Sequence, residues 1–229
     1  MTSAAVGGIV VAAGRGERFG ASLPKALQPL GGRPLLAHAC QALIDAGVGP
    51  LVVAAPPDRV DEVADVIASM PALVVAGGET RQQSVAAALG ALDPGVRWVL
   101  VHDAARALAP AELAVAVIDA LQAGAAAVVP GLPVVDTIKS VAGGRVTATI
   151  DRAQLVAVQT PQGFEAALLR AAHARAASEP ADAGASDDAG MIEAMGHVVH
   201  VVAGAPEALK ITRPLDLAVA ELLLRGAGS

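Results

Sequence analysis

Aromatic residues are nearly absent from this chain of 229 residues, which holds one Trp, two Phe and no Tyr. Any core must therefore be built from Val, Leu, Ile and Ala, and apolar residues do supply 54% of the sequence. Cysteine occurs once, at Cys40, which rules out an intrachain disulfide. Its place in the helical pattern LLAHACQALIDA reads as core filling rather than catalysis, and a lone thiol fits a reducing cytoplasm. No apolar run reaches the roughly 20 residues that span a bilayer. The amino-terminal stretch MTSAAVGGIVVAAG has no basic region and is not read as a signal peptide. Basic residues number 16 against 22 acidic ones, for a net charge of -6, which excludes the extended cationic surface of a nucleic-acid binder but not a local cationic pocket. Only three of those 16 are lysines, Lys25, Lys139 and Lys210. Where arginine carries generic surface charge, the lysines are enriched for tasks that need a compact ammonium. CxxC, GxSxG and solenoid-period repeats are missing too.

What is present is organised around Ile9 to Lys25, IVVAAGRGERFGASLPK, read as a strand, a glycine-rich turn and a lysine. Gly14, Gly16 and Gly20 allow backbone amides to converge on phosphate oxygens, with Arg15, Arg18 and Lys25 adding charge. An ordinary glycine-rich connection is the alternative. The turn is not a Walker loop, because the lysine does not follow the glycines as in GxxxxGK[ST]. Nor is it a dinucleotide fingerprint, since the glycines are too widely spaced and Pro24 interrupts the helix that should follow.

Further along, strand and helix patterns alternate. Pro34 opens a helix whose Leu35, Leu36, Ala39, Leu43 and Ile44 share a face, with Gly47 just past its end. Leu51 to Ala55 reads as a buried strand and Leu73 to Ala76 as a third strand, separated by a helical pattern that starts at Asp58 and turns Val60, Val63, Ile67 and Met70 inward. GGETRQQSV then leads from glycines directly into a helix, where Ser84 either presents its hydroxyl to a ligand or bonds the local backbone. Trp98 to Val101 is a strand running into His102, Asp103 and Arg106. Glu112 to Ala123 is a helix and Ala126 to Val129 another strand. Strand, ligand-type loop and helix thus recur, as in a doubly wound, mostly parallel α/β sheet with one composite site along its carboxyl edge.

Pro133 to Gln162 changes character. Strand-like segments flank a turn at Ala142 to Arg145, the pattern of a β-hairpin arm at about residues 133–160 of a single domain, 1–229. An arm with exposed strand edges needs covering, most simply by the same arm of a second subunit, so a homodimer is expected. Phe164 to Ala177 reads as helix. In SEPADAGASDDAG, Ser186 or Asp187 caps the next helix, or Asp187 and Asp188 bind a metal. His197 to Val202 alternates as a strand, and Pro214 starts a last helix just after Lys210.

Together AAGRGERFGASLPK, GGETRQQSV, VHDAAR, DTIK, the pair Asp151 and Arg152, TPQ and ALKITRPLDL stand in the order and spacing of the 2-C-methyl-D-erythritol 4-phosphate cytidylyltransferases, which this chain resembles from end to end. That resemblance implies a Rossmann-like nucleotidyltransferase fold and transfer of the cytidylyl group of CTP to methylerythritol phosphate, with pyrophosphate released, in isoprenoid biosynthesis. It implies catalytic roles for Arg18, Lys25, Arg152 and Lys210. CTP would meet Ala12, Ala13, Gly14, Gly78, Glu79, Ser84, Asp103 and Ala104, and the polyol phosphate Asp103, Arg106, Thr137, Arg152, Thr160 and Lys210. Arg152 would reach into a partner's site, and Mg²⁺, with no ligands assigned, would accompany the phosphates. The chain departs from the resembled pattern at Ala107, where proline usually follows VHDAAR, and at Ser186, where threonine is common. Two other readings remain at this point, a cytidylyltransferase for another polyol phosphate such as ribitol 5-phosphate, and a silent nucleotide-binding subunit.

Overall fold

The computed structural model describes residues 6–14, 23–178 and 187–226. Arg15, Gly16, Arg18 and Gly20 of the first loop, and Ser186 of the acidic stretch, lie outside the described residues.

The first strand, β1 (Val6–Val11), starts earlier than its apolar run suggests, because Gly7 and Gly8 belong to it. Glycine here reports close approach rather than a turn. A Cβ on Gly7 would lie 2.3 Å from Leu92 Cδ2, and one on Gly8 2.4 Å from Leu51 Cδ2. The tiny ribbon β2 (Pro29–Leu30) and β3 (Arg33–Pro34) leads into α1 (Leu35–Asp45), whose end turns at Gly47 with φ of 78°. Then come β4 (Leu51–Ala55), a 3-10 turn at Pro57–Arg59 that takes up Asp58, and α2 (Val60–Val66). After them lie β5 (Ala72–Ala76), α3 (Arg81–Ala91), β6 (Trp98–Asp103), α4 (Ala111–Gln122) and β7 (Ala127–Pro133).

Strands β6, β1, β4 and β5 lie side by side in parallel. Their alternating side chains feed two cores. Val10, Val53 and Leu100 pack with α1, α2 and α4, including a fully buried Cys40, whereas Ile9, Val52 and Val99 pack with the helices of the opposite face. That is the doubly wound arrangement. Burial pushes the Cys40 thiol up to about 12, which suits core filling.

The hairpin is shorter than the 133–160 stretch read from the sequence, whose ends at Pro133 and Val156 pair with each other in the main sheet. It consists of β8 (Ile138–Ala142) and β9 (Arg145–Ile150), a separate two-stranded sheet. Gly143 and Gly144 at its tip have φ of 54° and 75°, the pair of left-handed residues that a tight hairpin turn demands.

One expectation fails beyond the arm. After β10 (Val156–Val158), Phe164 is not helical but lies in β11 (Gln162–Glu165), which runs antiparallel between β6 and β7. Four residues are too few for a periodicity to register, and the apolar Phe164 is equally at home in the adjoining helix pattern. Helix α5 (Ala166–Ala176) starts only after it. Then α6 (Asp188–Ala194) is capped by Asp187, whose carboxylate accepts from Gly190 N at 3.0 Å. Strand β12 (His200–Ala203) pairs in parallel with β7, and α7 (Pro214–Gly226) closes the described chain. Among the described residues no helix is long and apolar enough to cross a membrane.

Because β1 is pressed from both sides, Gly8→Val is expected to lower stability by about 1–3 kcal/mol, the usual cost of overpacking. Denaturant titration checks this, and an unchanged midpoint would show that the Leu51 side chain yields freely.

Candidate active site

The carboxyl ends of the parallel strands converge on one edge. There the ladder continues into the loops: Ala12 N donates to Ala54 O at 2.9 Å, Gly77 N to Ala55 O at 2.7 Å and Ala104 N to Val11 O at 3.1 Å. Such bonds hold Ala12 to Gly14, Gly77 to Glu79 and Asp103 to Ala105 in adjacent rows. Between them lies a cleft of about 320 Å³ lined by these segments together with Lys25, Arg81, Ser84 and Lys210.

Two glycines set the wall formed after β5. A Cβ on Gly77 would fall 2.7 Å from Ala13 Cβ, and one on Gly78 2.3 Å from Gln83 Cβ. Helix α3 then ties the loop to itself. Thr80 Oγ1 accepts from Gln83 N at 3.1 Å, and Gln83 Oε1 accepts from Thr80 N at 3.2 Å and Glu79 N at 2.8 Å, a reciprocal cap. The Ser84 hydroxyl accepts from Gly78 N at 3.1 Å and donates to Thr80 O at 2.9 Å. The backbone reading of Ser84 thus describes its bonds, which shape the cleft wall that Ser84 also lines.

Asp103 is the electrostatic centre. Its Oδ1 accepts from Arg81 Nε at 3.2 Å, while Lys210 Nζ stands 2.7 Å from Oδ2. Burial alone would raise this carboxyl, but Arg81 and Lys210 outweigh burial and hold it far below the usual carboxylate range. Arg81 reaches further, donating from Nη1 to Asp188 Oδ2 at 2.6 Å, and His173 Nε2 lies 3.0 Å from Asp188 Oδ1. Asp188 is fully buried. Burial would raise its carboxyl as well, yet the His173 hydrogen bond and the Arg81 charge bring it below the ordinary value.

The backbone beneath Asp103 is clamped too. Asp103 N donates to Thr160 Oγ1 at 3.0 Å, and that hydroxyl shares a 2.9 Å hydrogen bond with His102 Nδ1. Lys210 is held in register with Asp103 by Ile211 N donating to Ala105 O at 2.8 Å and by Arg106 Nη1 donating to Ala208 O at 2.6 Å.

All of the described positions expected to meet CTP therefore lie on one cleft, with Lys25 and Lys210. Thr160 and Arg106 stand behind it, the Thr160 hydroxyl engaged by His102 and Asp103 N and the Arg106 Nη1 and Nη2 by the carbonyls of Ala208 and Val158, while Arg106 Nε meets no partner among the described residues. Thr137 and Arg152 sit on the arm and do not line this cleft; Arg152 is exposed and donates from Nη1 to Val135 O. Arg18 lies outside the described residues.

A family profile described as 2-C-methyl-D-erythritol 4-phosphate cytidylyltransferase matches residues 6–226. The chain belongs to that family. It is 52% identical over 219 residues to the family member of Nocardia farcinica, covering 94% of this chain and 92% of the relative, and 50% identical over 226 residues to that of Frankia casuarinae, covering 98% and 83%. Among solved structures, the 2-C-methyl-D-erythritol 4-phosphate cytidylyltransferase of Thermus thermophilus superposes with a TM-score of 0.80 at 38% identity over 98% of this chain and 100% of that one. A 4-diphosphocytidyl-2C-methyl-D-erythritol synthase from Anaerococcus prevotii gives 0.85 at 27% identity over 97% and 99%.

Arg81 and His173 are supports of the cleft that sequence reasoning passed over, and Asp188, read there only as a possible metal ligand, pairs with both. A signal existed: an arginine in the first turn of a helix opposes the helix dipole, so it is expected to have a carboxylate elsewhere.

Burial pushes His102 down to about 4, from a model-compound value of 6.5. Between those values the unfolded chain binds the extra proton, so stability that is complete above about pH 6.5 falls as pH drops toward about 4. His102→Gln is expected to flatten that part of a plot of thermal midpoint against pH. An unaltered slope would assign the dependence to other groups.

Proposed function

We infer that this protein transfers the cytidylyl group of CTP to 2-C-methyl-D-erythritol 4-phosphate, giving 4-diphosphocytidyl-2-C-methyl-D-erythritol and pyrophosphate for isoprenoid precursor synthesis. Membership of the family over residues 6–226 carries the inference. It is supported by a cleft where backbone amides, Lys25 and Lys210 meet around Asp103. The names of the relatives favour methylerythritol phosphate over ribitol 5-phosphate.

In this reaction a phosphate oxygen of the polyol phosphate attacks the α-phosphorus of CTP, and the bond to the β-phosphate breaks. No covalent enzyme intermediate is needed, so catalysis consists of positioning and charge stabilisation. In the proposal, Ala12 to Gly14 present the β1 loop to the triphosphate, while Lys25 and Arg18 neutralise charge on the departing pyrophosphate. Gly78, Glu79 and the Ser84-braced loop bound the cytosine, with Asp103 and Ala104 at the ribose. Lys210 orients the incoming phosphate, and Thr160 and Arg106 fix the segments from which Asp103 and Lys210 act.

Arg152 and Thr137 complete the site in a homodimer, acting from the arm of one subunit on the cleft of the other. Supporting this are the exposed apolar residues along that arm, Val135, Val141 and Val146, which are 79%, 61% and 63% accessible. The cytoplasm is the proposed location, consistent with the single buried thiol.

Mg²⁺ is proposed as the metal, which would accompany the triphosphate and supply neutralisation of its charge. The described residues include no group of three His, Cys, Asp or Glu placed to hold an ion, and Asp103 already faces two cations. The described residues therefore offer no protein cage, and the ion is expected to come with the triphosphate.

A pyrophosphate-release assay with CTP, Mg²⁺ and a panel of polyol and sugar phosphates tests the function, which no release with methylerythritol phosphate would refute. Lys25→Ala is expected to lower turnover by about a hundredfold or more, the scale of losing a preorganised charge donor. For the shared site, mixing Arg152→Ala and Lys25→Ala subunits should restore part of the activity. A confirmed heterodimer without activity would count against the arm acting in trans.

A further inference from the structure

From Arg81, which lines the cleft, an extension runs inward to the buried Asp188 and His173 that the reaction as described does not use. Arg81 opens α3, Asp188 opens α6 and His173 lies on α5, so three helices meet at one ion pair. We propose that Asp188 is a positioning residue, steadied by His173, which holds Arg81 to one oxygen of Asp103 and leaves the other oxygen for Lys210. The role assigned to Lys210 rests on the function proposed above.

An arginine fork matches a carboxylate bidentately when nothing else competes. Here the fork is divided, with Nη1 on Asp188 at 2.6 Å and Nε on Asp103 at 3.2 Å. Lys210 consequently reaches Asp103 Oδ2 at 2.7 Å, although its side chain is 44% exposed and can leave for water at little cost. With Asp188 neutral, Arg81 is free to take both oxygens of Asp103 and displace the ammonium.

His173 serves the same end. Its side chain is buried, its Nε2 meets Asp188, and its Nδ1 has no hydrogen-bond partner among the described residues. The ring's one polar contact thus fixes the second oxygen of Asp188, so the carboxylate cannot rotate away from Arg81. Stability alone does not call for such a group, because apolar side chains of similar volume commonly serve as well as a buried ion pair. What the pair adds is direction.

The test uses full-length Asp188→Asn and reads Lys210 modification by an amine-reactive reagent through peptide mass spectrometry. The rate is expected to rise about fivefold, the scale of losing a half-exposed ion pair. In pyrophosphate release, kcat/KM for the polyol phosphate should fall about tenfold or more while KM for CTP stays within about threefold. In an Arg81→Gln background, adding Asp188→Asn should change neither readout further, because both act through one guanidinium. Unchanged Lys210 labelling in folded Asp188→Asn, or effects that simply add, would overturn the proposal. If Asp188→Asn does not fold, His173→Gln carries the test with the same directions at smaller size, and a folded His173→Gln with wild-type labelling refutes it. Absence of pyrophosphate release by the wild type would instead refute the proposed function, leaving the labelling result to decide the positioning role.

Discussion

The structure turns on one carboxylate. Asp103 ends β6 at the sheet's carboxyl edge, nearly buried, and an unpaired charge there would be strongly destabilising. Arg81 and Lys210 resolve this from opposite sides, one from α3 and one from the segment before α7. Segments separated by more than a hundred residues are thereby committed to one point. The cleft is as much a consequence of that commitment as of the strands beneath it.

The antiparallel strand β11 makes the convergence sterically available. By entering between β6 and β7 it brings the loop with Gln159 and Thr160 directly beside Asp103. Gln159 then zips to Ala205, donating to its carbonyl at 2.8 Å and accepting from its N–H at 3.0 Å. Gly204 is needed at this crossing, since a Cβ there would lie 2.5 Å from Gln159 Oε1. From this anchor the chain proceeds through Ala208, held by Arg106, to Lys210. A short strand that carries none of the expected site residues therefore decides where Lys210 can stand.

These two features also mark the limits of what the sequence discloses. The central parallel strands β1, β4 and β6 were legible because strands buried on both faces read as unbroken apolar runs, as in Leu51 to Ala55. The hairpin was legible because Gly143 and Gly144 announce its turn. Strand β11 was not, being too short for its alternation to rise above the helix that follows. Gly7 and Gly8 were lost for another reason: in isolation, a glycine required by close packing looks like a glycine required by a turn. The cleft lining was legible through contiguous motifs, but the Arg81, Asp188 and His173 chain joins positions with no shared motif. Only three-dimensional folding makes them neighbours. Thr160 and Arg106 illustrate the remaining ambiguity, since a polar residue close to a site in sequence can act by holding the site rather than by touching what enters it.

Lysine scarcity acquires a physical reading in this light. Lys25 and Lys210 both line the cleft, whereas Lys139 lies on the arm and donates to Thr149 Oγ1 at 2.6 Å. Asp103 already has a guanidinium on one oxygen. A second guanidinium at position 210 would contest both oxygens and present a planar fork to an approaching phosphate, fixing its orientation by competition with Arg81. An ammonium is compact and has no preferred plane, so it can share one oxygen of Asp103 and still turn its remaining protons toward the cleft. Arginine at 81 and lysine at 210 are therefore not interchangeable cations. The first sets a direction through its fork, and the second leaves one open.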